Sequence, residues 1–449
     1  MKINKWISVC LLAGFAGWSS IYGQHSAILD QYIQEAFADN RDLQQQALIL
    51  QEQQKAVQEA QGLWKPTVNF GLNYTLAAGG RSISFPVGDL LNPVYSTLNN
   101  ITQTNQFPQL ENVEEQFLPN NFYDARVRIT QPILNPDIKY NKAIKEKQLA
   151  IPEVQQSVIR RQLVRDIKMA YFQYLQAAEA VGIFENALQL LAENTRVNES
   201  LVRNGAAIPG VLVRIQGETS NVEGQLTLAK SQLENAAGYF NFLLRRPYDA
   251  PILRDTTLPE LPGTMTAPAL VREEVQQLDK ALDIQEMVLE YQQTFRQPKL
   301  GVQLDLGSQG FNFNWGGYGL MGLSLEVPLY AGKRNLMKID QTNLAIQRLR
   351  TQQQQVQEQI QLQVNIAETK LKGSLGAFEQ YSYQINAADR FYRDVQRRYR
   401  EGQAGYIEVL DGRTQLTNAK IQQSLARLQV WTQWVEWEFA VAAYPVAAE

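Results

Sequence analysis

Four short segments of the chain alternate between apolar and polar residues. In the first, apolar side chains occupy every second position from Val68 to Leu76, and polar or small side chains occupy every second position from Thr67 to Thr75. A period of two places successive side chains on opposite faces of a β-strand. Each segment is therefore predicted to form a strand with one apolar and one polar face. The predicted strands cover about 66–77, 122–132, 298–307 and 317–329.

Two much longer segments repeat their apolar residues at steps of three and four. Between Ile159 and Leu191, nine such steps average about 3.56 residues, close to the 3.6 residues of an α-helical turn. The same spacing recurs from Val356 to Phe378. Helices of this kind, roughly 100 Å long, pack as coiled-coil-like bundles. Pro152 lies inside the first pattern and should kink the helix or mark its start. The predicted long helices cover about 137–203 and 333–400.

The elements occur in the same order in two halves of the chain: a helix, a strand, a loop, a strand, a very long helix, a glycine-bearing break and a further helix. In the first half, 73 residues separate Pro132, at the end of the second strand, from Gly205 in the break. In the second half, 74 residues separate Pro328 from Gly402. About 36 additional residues lie in the loop between the first two strands. The predicted parts are a first repeat at 24–246 with a break at 204–209, a Pro-rich linker at 247–268, and a second repeat at 269–449 with a break at 401–405.

The N-terminal segment 1–23 has the pattern of a secretory signal peptide. A basic start precedes an apolar run from Trp6 to Trp18, and small residues follow it. Cys10 lies inside this run and not after it, which disfavours a lipid anchor. No other apolar stretch reaches the roughly 18 residues that a transmembrane helix needs. The mature chain is expected either to be soluble outside the cytoplasm or to cross a membrane as strands.

Composition disfavours several classes of function. With a formal net charge of −3 and 19% charged residues, the chain gives no electrostatic reason to expect a nucleic-acid partner. The only histidine is His25 and the only cysteine is Cys10. Zinc and copper sites need several such ligands, and catalysis by a Cys–His pair needs both residues in one site. We therefore expect no enzyme, no metal centre, no cofactor and no nucleic-acid partner.

The number of strands limits how such a chain could enter a membrane. Alternation alone fits a half-buried soluble sheet as well as a transmembrane barrel. The predicted long helices favour the barrel, because they are far longer than the helices of a globular domain. A bilayer does not tolerate an open sheet edge, and four strands cannot close a barrel. Two chains would supply eight strands around a filled interior, and three would supply twelve around a lumen. The polar strand faces favour three chains, because a lumen between twelve strands would be filled with water.

Several motifs carry a resemblance to a known family. A proline opens strands 1 and 3 in "LWKPTVNF" and "FRQPKLGV", and strand-to-helix turns occur in "TQPILNP" and "EVPLYAGKRN". The segment "YREGQAGYIEVLDGRTQLTNAKI", which begins at Tyr399, combines a tyrosine, a glycine and an acidic-Val-Leu-Asp run that opens a helix. On these motifs the chain resembles the TolC family of outer-membrane efflux proteins over essentially all of the mature sequence.

The resemblance implies an architecture and a function. The fold would be that of an α+β membrane protein, in which four strands per chain contribute to a trimeric 12-stranded β-barrel in the outer membrane, continuous with a long periplasmic α-helical coiled-coil barrel. The homotrimer would be the passive duct of a tripartite efflux or type I secretion system. Its partners would be a periplasmic adaptor protein, an inner-membrane transporter and outer-membrane lipid. The alternative is a structural or adhesive coiled-coil protein of the cell envelope.

The resemblance also implies roles for the two breaks. They are expected to be helix–helix turns at the periplasmic tip of the helical barrel, where they narrow the channel and bind adaptors. Two positions depart from the family pattern: Ala404 stands where the best-known member has an arginine, and Val211 replaces an aspartate. The residues assigned to the tip latch and to adaptor docking are Tyr399, Gly402, Gly405, Asn204, Gly205 and Pro209.

Two acidic residues follow the second break. Glu408 and Asp411 match the family's acidic positions that face the pore, so the resemblance implies that they form the constriction of the channel. Their spacing of three residues places both on one helix face. An ordinary alternative is that they stabilise the start of a helix, where unpaired N–H groups and the helix dipole favour carboxylates. The two roles are compatible with each other.

Overall fold

The structure of the protein is a computed structural model that describes residues 26–254 and 272–446. The predicted signal peptide at 1–23, His25 and most of the predicted linker lie outside the described residues. The chain divides into two compact units. We call the first the helical unit; it comprises the described parts of Met1–Glu52, Leu149–Leu282 and Gln347–Glu449. We call the second the sheet unit; it comprises Gln53–Gln148 and Asp283–Ile346.

Helices account for most of the described chain, and strands are confined to the sheet unit. No described helix is both long and apolar enough to cross a bilayer. The elements in chain order are α1 (Ala27–Asp39), α2 (Arg41–Gly62), β1 (Thr67–Thr75), β2 (Ser82–Phe85), α3 (Val87–Thr102), β3 (Val113–Gln116), β4 (Phe122–Leu134), α4 (Pro136–Gln148), α5 (Ala150–Arg203), α6 (Gly210–Leu243), α7 (Glu273–Gln293), β5 (Lys299–Phe311), β6 (Gly317–Glu326), α8 (Arg334–Arg400) and α9 (Tyr406–Ala440).

The four predicted strands form one antiparallel sheet in the order β1-β4-β5-β6. The third strand continues past its predicted end at 307, because β5 stays paired with β4 up to the partners Phe311 and Phe122. The fourth strand ends earlier than predicted, since the last residue of β6, Glu326, pairs with the first residue of β5, Lys299. In the described chain, β1 and β6 each pair on one side only.

The two faces of this sheet differ in chemistry. One face carries apolar side chains that are exposed in the chain, among them Phe70 on β1 and Leu323 on β6. The other face carries charged and polar side chains from β4 and β5. On that face Arg128 donates two hydrogen bonds to the carboxylate of Asp305, at 2.9 and 2.8 Å. The alternation predicted from the sequence is thus present as an apolar and a polar face.

The segment between β1 and β4 is folded, although the sequence analysis predicts only a loop there. It contains α3 and a small antiparallel pair of strands, β2 and β3. Asn92 on α3 exchanges two hydrogen bonds with the main chain of Leu110, at 2.7 and 2.8 Å. Asn99 does the same with Phe107, at 3.1 and 2.7 Å. These amide side chains hold an irregular segment against α3, a pairing that no periodicity in the sequence reveals.

The first predicted long helix, 137–203, is two helices. It is divided at Leu149 into α4 and α5. Pro152 lies in the first turn of α5, where its missing N–H group costs nothing because that N–H would have no partner in the helix. Pro152 therefore follows closely on the start of α5, one of the two outcomes predicted for it. The second long helix, α8, is continuous over 67 residues.

The core of the helical unit joins helices from both predicted repeats. Ile167 and Tyr171 from α5 are fully buried together with Phe240 from α6 and Leu428 and Val435 from α9. Two buried ion pairs lie in the same unit and also connect the repeats, one between α5 and α7 and one between α5 and α9. The helical unit is thus held together by apolar packing and by buried charge pairs.

Candidate functional site

The first predicted break is a helix–helix turn closed by main-chain hydrogen bonds. Helix α5 ends at Arg203, and α6 begins at Gly210 directly after Pro209. Gly205 has a φ of +71°, a left-handed conformation that glycine adopts without steric cost. The N–H group of Ala206 donates to the oxygen of Leu201 at 2.8 Å. A left-handed glycine followed by such a bond is the common way to end an α-helix.

The second break repeats this geometry. Helix α8 ends at Arg400, and Gly402 has a φ of +76°. The N–H group of Gln403 donates to the oxygen of Arg398 at 2.8 Å, as Ala206 does in the first turn. Gly405 is extended and forms the N-cap of α9. The sequence resemblance between the two breaks therefore reflects the same helix ending, used once in each repeat.

Glu408 lies in the first turn of α9 and interacts with the turn before it. Its Oε1 accepts the N–H group of Gly405 at 3.1 Å. Its Oε2 lies 4.0 Å from the guanidinium of Arg398, in a pair of half-exposed side chains that contributes little to stability. Asp411, one turn later, accepts a hydrogen bond from Gln415 at 3.0 Å. Both carboxylates are exposed in the chain, and Glu408 has the helix-capping role that is the ordinary alternative for it.

Tyr399 makes a hydrogen bond that joins the two repeats near the turns. Its hydroxyl donates to Oδ1 of Asn198 on α5 at 2.7 Å, and Asn198 is 1% exposed. The amide nitrogen of Asn198 donates to the main-chain oxygen of Asn194 at 2.9 Å, which fixes the direction of the acceptor. Burial raises the pKa of the Tyr399 hydroxyl, so it stays protonated as a donor. Sequence reasoning named Tyr399 but missed Asn198, which lies inside a helix and outside the break.

An apolar cluster brings the two breaks together. Its buried members come from α5, α6, α8 and α9, and the half-buried side chains of Tyr399, Ala404 and Val211 pack against it. Ala404 and Val211 are the two positions that depart from the family pattern, and here both make apolar contacts. The other predicted tip residues, Asn204, Gly205, Pro209, Gly402 and Gly405, are exposed and form the turns themselves.

The α9 residue Tyr406 lies inside this cluster. Its ring meets that of Tyr399 edge to face, with 5.8 Å between the ring centres. Its hydroxyl is buried and has no hydrogen-bond partner. Burial raises the pKa of this hydroxyl to about 12, so Tyr406 remains neutral at physiological pH. The second turn is therefore anchored to the first repeat by the Tyr399–Asn198 hydrogen bond and by apolar packing.

Replacing Tyr399 with phenylalanine is expected to lower the free energy of unfolding by about 1–2 kcal/mol, because the buried oxygen of Asn198 loses its donor. Denaturant unfolding of the purified protein in detergent measures this change. The matched control is Tyr383→Phe on the same helix, since the Tyr383 side chain is 71% exposed. Equal effects of the two substitutions would show that the bond to Asn198 contributes no stability.

Comparison with known proteins shows which solved structures share this fold. Residues 272–442 match the sequence model of the outer membrane efflux protein family. No curated protein sequence matches the chain. Among solved structures, CusC is similar with a TM-score of 0.73 at 14% identity, over 96% of this chain and 95% of that one. VceC from Vibrio cholerae is similar with a TM-score of 0.68 at 15% identity, over 92% and 95% of the two chains.

The outer membrane channel CmeC from Campylobacter jejuni is also similar, with a TM-score of 0.68 at 14% identity over 98% of this chain and 93% of that one. These matches span both repeats, whereas the family match covers the second. The resemblance stated from the sequence motifs is thereby confirmed. Residues 272–442 carry the sequence signature of the outer membrane efflux proteins, and the chain as a whole has the fold of TolC-like outer-membrane channels.

Proposed function

We propose that the protein is the outer-membrane channel of an export system, through which substrates leave the periplasm without energy input from the channel itself. The observation that carries this proposal is the four-stranded sheet with one exposed apolar face, one polar face and two open edges. An apolar face suits lipid, and a polar face suits a water-filled lumen. Open edges in a bilayer require strands from further copies of the chain. This role is not enzymatic.

Three copies satisfy these requirements best. Pairing β6 of one copy with β1 of the next would close a barrel of twelve strands, wide enough to leave a lumen. The charged face that carries Arg128 and Asp305 would then line this lumen. Eight strands from two copies would surround an interior that side chains fill, which does not suit a duct. The long helices would form the periplasmic extension of the same channel.

The proposal also predicts which proteins the channel binds. A duct without a motor needs an inner-membrane transporter to move the substrate and a periplasmic adaptor to join the two. The exposed turn residues Asn204, Gly205, Pro209, Gly402 and Gly405 are the surface that we assign to adaptor docking. Their repeated geometry would give an adaptor six similar turns in a trimer. Tyr399 would act beneath this surface, since its hydrogen bond to Asn198 holds the second turn against the first repeat.

We assign the constriction of the channel to Glu408 and Asp411. Both are exposed in the chain, and neither is buried in a close ion pair. Three-fold symmetry would bring up to six carboxylates around one axis. Like charges so arranged cost energy unless cations screen them or protons neutralise some of them. Capping of α9 by Glu408 is compatible with this role, because one carboxylate oxygen can accept the Gly405 N–H group while the other faces the pore.

Single-channel recording in planar bilayers tests this proposal. The purified protein is expected to conduct ions, to prefer cations and to be blocked by multivalent cations such as hexamminecobalt(III). The double variant Glu408→Gln/Asp411→Asn is expected to lose most of this selectivity and block while still assembling, since both substitutions keep the size of the side chain.

The matched control is Asp394→Asn/Glu401→Gln, which removes the same charge from exposed residues before and within the second turn. It should keep the selectivity of the parent. If Glu408→Gln/Asp411→Asn also kept the parent's selectivity and block, the two acids would be helix-start residues only, and the site assignment would be wrong. If the parent conducted no ions in any condition, the channel function itself would be rejected.

A further inference from the structure

A pocket separate from the turns lies between α6 and α9 in the helical unit, with Ala187 of α5 in its wall. Its volume is about 220 Å³. This is smaller than the pockets that hold drug-sized ligands, so it suits a molecule of a few non-hydrogen atoms. Apart from Ala187 and the apolar Val222 and Leu410, the wall is polar. The polar lining residues are Glu218, Asn221, Gln225, Arg413, Thr414, Thr417 and Asn418.

Arg413 is the cation in this wall, and it forms no close ion pair with a carboxylate among the described residues. The side chain is 4% exposed, and it donates one hydrogen bond from Nη2 to the main-chain oxygen of Ala187. Its Nε and Nη1 atoms are buried without any hydrogen-bond partner. Burial lowers the pKa of the guanidinium, but an arginine keeps its proton in proteins. A buried guanidinium with two unused donors is costly unless an acceptor reaches it.

Glu218 brings the opposite charge to the same pocket. It lies on α6 and is half-buried, and its charge acts on Arg413 across the pocket without a close ion pair between the two side chains. The other ionisable groups that act on Arg413 are the hydroxyls of Tyr392 and Tyr406. One cation and one anion that form no close ion pair with each other therefore line a single small cavity.

A ligand with a single charge does not match this wall. A simple anion would satisfy Arg413 but would be repelled by Glu218, and a simple cation would meet the reverse problem. A molecule that carries both charges would pair with both residues at once. The amide and hydroxyl groups of Asn221, Gln225 and Thr417 would bind its remaining polar atoms. We propose that this pocket binds a small zwitterion, an amino acid or a close analogue, whose carboxylate pairs with Arg413 and whose ammonium group pairs with Glu218.

Calorimetric titration of the purified protein in detergent tests this inference. The probes are glycine, β-alanine and 4-aminobutanoate, in which the distance between the two charges increases, with acetate and methylammonium as single-charge references. At least one zwitterion is expected to bind about tenfold or more tightly than both references, because each charged hydrogen bond contributes a factor of this size. If acetate bound as tightly as every zwitterion, or if no probe bound, the inference would be wrong.

Two variants assign the charges within the pocket. Glu218→Gln, at a half-exposed position that should not disturb folding, is expected to remove the preference for a zwitterion over acetate. Arg413→Gln should abolish binding of both. The matched control is Glu223→Gln on the exposed side of α6, which should leave the affinities unchanged. An unchanged preference in Glu218→Gln would contradict the proposal and would leave Glu218 as a surface carboxylate with no part in binding.

Discussion

Replacing Lys168 with methionine is expected to lower the free energy of unfolding by about 3–5 kcal/mol. The Lys168 ammonium group lies 2.6 Å from the Glu438 carboxylate, and both side chains are only 7% exposed. The substitution would leave the Glu438 carboxylate buried without a partner, and an unpaired buried charge costs much more than the pair contributes. Because the pair joins α5 of the first repeat to α9 of the second, the two repeats should separate more easily in this variant.

Two further variants distinguish the effect of the lost charge from the effect of lost packing. The double variant Lys168→Met/Glu438→Leu removes both charges and should recover most of the lost stability, since apolar pairs of similar volume often replace buried ion pairs without loss. The exposed pair of Lys372 and Glu368 on α8 serves as the control, where Lys372→Met should cost less than about 1 kcal/mol. Denaturant unfolding in detergent measures all three. A double variant as unstable as the single one would show that these side chains act through packing alone.

Replacing Phe70 with arginine is expected to reduce the stability of the assembled protein in membranes by about 2–4 kcal/mol. Phe70 lies in the middle of β1 on the exposed apolar face of the sheet, and its side chain is 72% exposed in the chain. If that face contacts lipid, an arginine there must leave water or distort the bilayer. If the face were only a soluble surface, an exposed arginine would be tolerated.

Asn73→Arg is the matched control on the same strand. Asn73 belongs to the polar face and pairs with Asp124 on β4, whose carboxylate would accept a new cation. The control should fold and assemble as the parent does. Heat-resistant oligomer on gels, measured after extraction from outer membranes, reports the effect of both substitutions. Equal yields of assembled protein for Phe70→Arg and Asn73→Arg would contradict a lipid contact of the apolar face.

The elements that could be predicted from the sequence are those that a short run of neighbouring residues specifies. The alternation from Val68 to Leu76 is sufficient to recognise β1, and Gly205 and Gly402 mark two turns because only glycine adopts their left-handed conformation easily. Pro152 likewise marks the neighbourhood of a helix start. The full length of β5 could not be predicted from the sequence, because Gly307 and Gly310 resemble the end of a strand. Both residues belong to β5 because this segment pairs with β4.

What sequence reasoning missed depends on contacts between distant parts of the chain. Asn198 accepts a hydrogen bond from Tyr399, about 200 positions later, and only the packing of α5 against α8 reveals this contact. Arg413 follows Asp411 by two residues, yet one side chain is buried against α5 and the other is exposed. A helical wheel shows that the two side chains point in different directions from α9. It does not show which of these directions is covered by a neighbouring helix. The assignment of Glu408 and Asp411 to a pore stays a prediction for the same reason, since it requires further copies of the chain.

Mass measurement of the intact complex after gentle extraction of outer membranes into detergent tests the central claim most directly. We predict that the protein resists extraction by salt, requires detergent to leave the membrane, and then appears as a stable complex of three chains, because only further copies can satisfy the open edges of β1 and β6 in a bilayer. A stable monomer or dimer in detergent, or release of the protein by salt alone, would contradict the account of this chain as a trimeric outer-membrane channel.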